Sequence, residues 1–187
     1  SDNIVIGISS ETPGMPFFQI YNADSPTTIT GSEQIPLNQW VHMAVTSAGH
    51  VATLYMNGCA IGSSQSMNQA SIVTRSNAYI AKSNWSGDAY ADMIIDECRI
   101  WDIALTENEI RNAMCHKLNG NESGLFAYYR FDHNSDIELS DITSNQNHAS
   151  LANMDDSDWI ASKAPIGDIS ASDYSEYALS ASLTVDR

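Results

Sequence analysis

Asn57-Gly58 stands between two short apolar runs, Val51-Ala52-Thr53-Leu54-Tyr55-Met56 and Cys59-Ala60-Ile61-Gly62. Asparagine and glycine both tolerate the positive φ of a type I′ turn, whose twist suits two adjacent antiparallel strands. The pair therefore predicts a β-hairpin. It is the firmest local feature of the chain, and it puts antiparallel pairing at the centre of whatever fold surrounds it.

The same texture runs through the chain up to Trp101. Residues 4–9 and 17–21 are apolar and β-rich, separated by the turn cluster Glu11-Thr12-Pro13-Gly14. A polar loop leads to Trp40-Val41-His42-Met43-Ala44-Val45, and residues 78–82 and 93–101 complete the strand set. Short strands at roughly 8–12-residue spacing indicate an all-β sandwich or barrel. One helix interrupts them. Thr106-Glu107-Asn108-Glu109 has the form of a capping box, with the threonine oxygen on the N3 amide and Glu109 reaching back. Leu105 is placed to staple onto Ile110. Ile110, Met114 and Leu118 form one apolar stripe, which Asn119-Gly120 is expected to end. Further on, residues 125–131 read as a strong strand, and a polar stretch follows to about Asn147. Residues 149–152 are another candidate strand, and residues 159–165 resemble a linker.

Composition narrows the partners. Eight Lys and Arg against 23 Asp and Glu leave a net charge of −15. Nucleic acid and anionic lipid both require clustered positive charge, so neither is expected as a partner. The acidity fits a soluble extracellular surface or a cation-binding chain, and solubility alone explains it equally well. No apolar run approaches the roughly 20 residues that span a bilayer, so membrane insertion is not expected. No basic segment followed by an apolar one opens the chain, so a leader is read as absent or already removed. Cys59, Cys98 and Cys115 match no zinc spacing and no CxxC occurs. One disulfide plus a buried thiol and three buried thiols are both allowed; Cys98–Cys115 is the bridge expected if one forms.

Five blocks in order carry a family resemblance. They are residues 40–45, then Leu54-Tyr55-Met56-Asn57-Gly58, then Ile80-Ala81-Lys82-Ser83-Asn84-Trp85, then Ile95-Asp96-Glu97-Cys98-Arg99-Ile100-Trp101, then Ala104-Leu105-Thr106 with Glu109-Ile110. One block is weak; the series is specific. It resembles the concanavalin A-like laminin G/pentraxin superfamily in its bacterial multidomain form, over residues 1–165. Residues 166–187 then read as a linker and the start of a following β segment. The resemblance implies an all-β, antiparallel two-sheet jelly-roll sandwich with one short helix. It further implies a secreted, non-enzymatic carbohydrate-binding or adhesion module of a cell surface, which binds a glycan or a surface protein with the assistance of Ca2+. The family usually opens with further N-terminal strands, including a Gly-x-Asp-Asp-type strand, which are not found here. Residues 125–131 are a candidate to take their place. An unfilled gap leaves open sheet edges, which favour a homo-oligomer or strand exchange with another chain, as in a structural subunit of a surface filament or sheath.

Two places are expected to carry chemistry. In the wider fold the aspartate opening the strand at Asp96 often helps hold a structural Ca2+, so Asp96 is the metal candidate. A hard cation needs several oxygen ligands, and the plain alternative is a strand-edge carboxylate bonded to a loop. Asn84, Trp85, Asp88 and Asp92 form the candidate ligand site: laminin G-like sites set Asp and Asn oxygens at a loop rim, where a Ca2+ ion can bridge to the ligand, and the Trp85 face suits the C–H face of a pyranose. The alternative is a polar turn with one half-buried tryptophan. Asp132, Asp136, Asp141, Asn145 and Asn147 lack EF-hand spacing and read as a solvated loop. Asn84-Trp85-Ser86 and Asn121-Glu122-Ser123 fit the N-glycosylation pattern, which bears only on a eukaryotic source. Glycosidases of this fold use a Glu-x-Asp-x-x-Glu strand, and none occurs.

Overall fold

The computed structural model describes residues 2–23, 25–132 and 138–167. Asp136, and the segment from residue 168 that was expected to open a following β region, lie outside the described residues. The chain divides between Ile94 and Ile95 into two compact units.

The first unit holds two three-stranded antiparallel sheets. One joins β1 (Ile4–Ile8), β2 (Pro16–Asn22) and β3 (Ser25–Thr30) in that order, with Gly7 opposite Phe17 and Phe17 opposite Thr30. The other joins β4 (Met43–Ala48), β5 (Val51–Met56) and β6 (Cys59–Ser64). Alternation along β2 turns Phe18 and Ile20 inward, where they meet Ile29 of β3, Ala52, Leu54 and Met56 of β5, and Ile61 of β6. Two sheets thus share one core, as the pattern of strands predicts for a sandwich. Gly62 permits their close approach: a Cβ there would lie 2.8 Å from an Ile29 methyl and 2.9 Å from the Thr30 carbonyl oxygen.

The predicted hairpin forms β5 and β6. Asn57 has φ +50° and Gly58 φ +74°, as a type I′ corner requires. Asn57 also ties the corner to the chain before β4: its Oδ1 accepts from His42 N at 3.0 Å, and its N–H donates to His42 O at 2.8 Å. β4 begins only at Met43, so residues 40–42 of the expected strand lie before it. β3 was read as polar loop, yet Thr27, Thr28, Ile29 and Thr30 are consecutive β-branched residues, and the strand pairs fully with β2. Residues 78–82 and 93–97 are not strands. Tyr79, Ile80, Met93 and Ile94 are exposed, and among the described residues no strand pairs with either run. β-rich composition alone cannot satisfy the backbone; a ladder partner must also be present.

The second unit is built on an antiparallel pair, β7 (Cys98–Trp101) and β8 (Leu125–Tyr129), with helix α1 (Glu107–Ala113) between them in sequence. The capping box forms as predicted: Glu109 N donates to Thr106 Oγ1, and Thr106 N donates to Glu109 Oε2 at 2.7 Å. Ile110 is buried, but the helix ends at Ala113, so Leu118 lies beyond it. Where the helix ends, Arg99 of β7 donates to Ala113 O at 2.7 Å and, beyond it, to His116 O. Three further expectations are corrected here. The polar stretch contains β9 (Glu138–Leu139), which pairs with β10 (Ala149–Ser150). Residues 159–165 are not a loose linker, since Trp159 packs against the cluster of Ala127, Tyr129 and Leu139. Cys98 and Cys115 carry separate thiols, not the expected bridge.

Candidate functional site

In the first unit, the loop after residue 82 is held by local bonds. Ser83 Oγ accepts from Trp85 N at 3.0 Å, and Asp88 N donates to Trp85 O at 3.2 Å. The Trp85 ring leans on Tyr21 of β2, with centroids 5.4 Å apart and planes inclined by 45°. Trp85 remains 38% exposed. Asn84 Nδ2 donates to Asn3 Oδ1 at 3.4 Å, which joins this loop to the start of the chain.

Beside them is an open groove of about 510 Å³, lined by Asn84 and Trp85, by residues 73–77 and by Asp2 and Asn3. Two of the four residues expected at the ligand site therefore line it. Asp88 and Asp92 are exposed on the same loop but do not line it. Arg75 and Asn77 enter the groove without having been singled out; their run, Val73-Thr74-Arg75-Ser76-Asn77, has no periodicity to mark it. The arrangement offers an aromatic face, side-chain amides and hydroxyls, and one carboxylate, Asp2. That is chemistry for holding a polyhydroxylated ligand by stacking and hydrogen bonds.

Asp96 lies in the second unit, in a separate cavity of about 420 Å³ shared with Lys117, Asp132 and Ser162. Its Oδ2 accepts from Ser162 Oγ at 2.5 Å. Asp132 is already ion-paired to Lys117 Nζ at 3.0 Å. No group of three His, Cys, Asp or Glu side chains converges among the described residues. One hydroxyl-bound carboxylate beside an ammonium falls short of what a hard cation needs, so these side chains do not by themselves fit Ca2+.

The second unit also contains two buried polar nodes that no sequence pattern marks. Asp141 was read as part of a solvated loop, yet it is 3% exposed. Its Oδ1 accepts from Tyr128 N and Thr143 N at 3.0 and 2.9 Å, and its Oδ2 from Asn147 N and Thr143 Oγ1 at 2.8 and 3.0 Å. Burial pushes this carboxyl up; the four hydrogen bonds outweigh burial and hold it below its ordinary value. Tyr128 lies between two guanidinium groups, Arg99 at 5.0 Å and Arg130 at 5.4 Å from its ring centre, and its hydroxyl donates to Glu97. Glu97 is paired to Arg99 at 2.5 Å. Arg99 also donates to Ala113 O and His116 O, which ties this node to the chain after α1, while Glu97 Oε1, Arg99 Nε and Arg130 Nε are buried without a partner. Burial raises the Cys98 and Cys115 thiols against the pull of Arg99, and burial lowers His116, so Cys115-His116 is not an activated pair.

A family model described as the concanavalin A-like lectin/glucanases superfamily, of laminin G type, matches residues 1–111. The chain belongs to this superfamily. The match agrees with the antiparallel two-sheet core of the first unit and with the resemblance read from the sequence blocks. A superfamily named for both lectins and glucanases contains binders and enzymes, so membership does not choose between them. Among solved structures, the chain is similar to an S-layer domain-containing protein (residues 221–444) from Clostridium thermocellum ATCC 27405, at 25% identity and a TM-score of 0.39. The likeness covers 60% of this chain and 62% of that one, less than two thirds of its length. No curated protein matches the sequence. No helix among the described residues is long and apolar enough to cross a membrane.

Proposed function

We propose that this chain is a non-enzymatic carbohydrate-binding module of an extracellular, cell-surface protein. The observation that carries the reading is the groove of the first unit, where Trp85 stands beside the amides of Asn3, Asn77 and Asn84. An indole face covers the apolar face of a sugar ring, while amides serve its hydroxyls in either direction. Glycoside hydrolysis instead asks for two carboxyl groups flanking the scissile bond at about 5–9 Å. Asp2 is the one acid lining this groove, and its Oδ1 is engaged by Ala23 N at 3.0 Å. Superfamily membership and the acidic, weakly basic composition support an extracellular setting. With a single carboxylate in the groove, binding is expected to persist in a chelator.

A second reading, a structural subunit of a surface assembly, is favoured by β1. This strand lies at the edge of its sheet, and Ile4, Ile6 and Ile8 are exposed along one face. A glycan array of the intact chain, with and without chelator, combined with sedimentation over a concentration series, separates the two. Saturable sugar binding by a monomer supports the module. Concentration-dependent assembly with no sugar bound supports the subunit.

A further inference from the structure

The groove also carries a charge, and with it a class of sugar. Residues 1–94 contain two basic side chains, Arg75 and Lys82. Lys82 is placed over the Tyr79 ring, its Nζ 4.7 Å from the centroid. Arg75 instead lines the groove with Asn84 and Trp85. Its Nη2 donates to Ser71 O at 3.3 Å, and among the described residues no carboxylate lies within ion-pairing distance of it. The long-range field of a −15 chain opposes any anion, so selectivity for one has to come from a local contact.

Resting on the glycan-binding reading of the same groove, we infer that its preferred ligand is an anionic sugar and that Arg75 determines this preference. A guanidinium presents several N–H donors in a planar fork that matches the two oxygens of a carboxylate or the oxygens of a sulfate. The remaining donors and acceptors of the groove, Asn3, Asn77 and Asn84, are neutral and suit hydroxyls. The sugar ring stacks at Trp85 while its acidic substituent meets Arg75.

Calorimetric titration of the intact chain with trigalacturonate, with its fully methyl-esterified form and with a sulfated galactotriose tests this. The wild-type chain is expected to bind at least one anionic trisaccharide about fivefold more tightly than the neutral ester, the range of an exposed charge pair. The two anionic arms tell carboxylate from sulfate. Arg75→Gln is expected to erase the preference, so that the charged and esterified sugars bind the variant equally, and Trp85→Ala to weaken all three. Equal affinity of the wild-type chain for charged and esterified sugars, or a preference that survives Arg75→Gln, overturns the inference and leaves the glycan reading standing. If no sugar binds, the glycan reading fails and this inference with it. Circular dichroism of each variant confirms that the fold is retained.

Discussion

Trp85 rests against Tyr21, ring centroids 5.4 Å apart, so strand β2 supports the aromatic wall of the groove from behind. Tyr21→Ala removes the support and keeps the wall; Trp85→Ala removes the wall. We expect Tyr21→Ala to lower stability by about 1 kcal/mol, the worth of one tilted aromatic pair, and to weaken sugar binding less than Trp85→Ala does. Urea unfolding and titration of both variants check the order.

The corner at Asn57 does two jobs, adopting positive φ and bonding His42 through its side chain. Asn57→Gly keeps the first and loses the second, at a cost of about 1 kcal/mol. Asn57→Ala loses both and is expected to cost roughly 1–2 kcal/mol more. Equal midpoints for the two variants in chemical unfolding contradict this division.

Where a local signal is self-sufficient, the sequence is a reliable guide. The Asn57-Gly58 corner and the Thr106 capping box each need only a few neighbouring residues, and both form where predicted. Strands 78–82 and 93–97 depended on distant partners and do not form, although their β-rich composition is real. β3 was hidden because its Ser, Thr and Pro residues look like loop, and only pairing with β2 shows it to be a strand. At the groove, Trp85 and Asn84 stood out by type, whereas Arg75 and Asp2 join them only through the fold. Asp141 looked solvated because its polar neighbours are the very groups that bury and bond it.

That buried carboxylate sets an acid limit for the second unit. Its folded pKa lies below the ordinary 3.8, so the folded state binds the proton more weakly than the unfolded state does. The stabilisation is therefore complete above about pH 4 and is lost as pH falls through the depressed value. Asp141→Asn puts an amide N–H toward backbone donors and is expected to cost about 2–3 kcal/mol at neutral pH while flattening the acid limb. Thermal melts of both proteins between pH 2 and 7 measure it. A variant that melts with the same pH dependence as wild type contradicts the assignment.

Calcium offers a further check on the second unit. Asp96 shares its cavity with Lys117, and Asp132 is paired to that ammonium. A ligand that binds only the folded state must raise the melting midpoint by mass action. We expect millimolar calcium to leave the midpoint unmoved; a rise that Asp96→Ala abolishes would assign the metal to Asp96 after all.

The proposed sugar binding rests on the groove beside Trp85, and one titration reaches it directly. Oligosaccharides that score on an array, titrated into wild-type and Trp85→Ala protein, should give saturable heat with wild type and at least about fivefold weaker binding with the variant, at unchanged secondary structure. Identical affinity in the two proteins, or no saturable binding to any sugar, would contradict it.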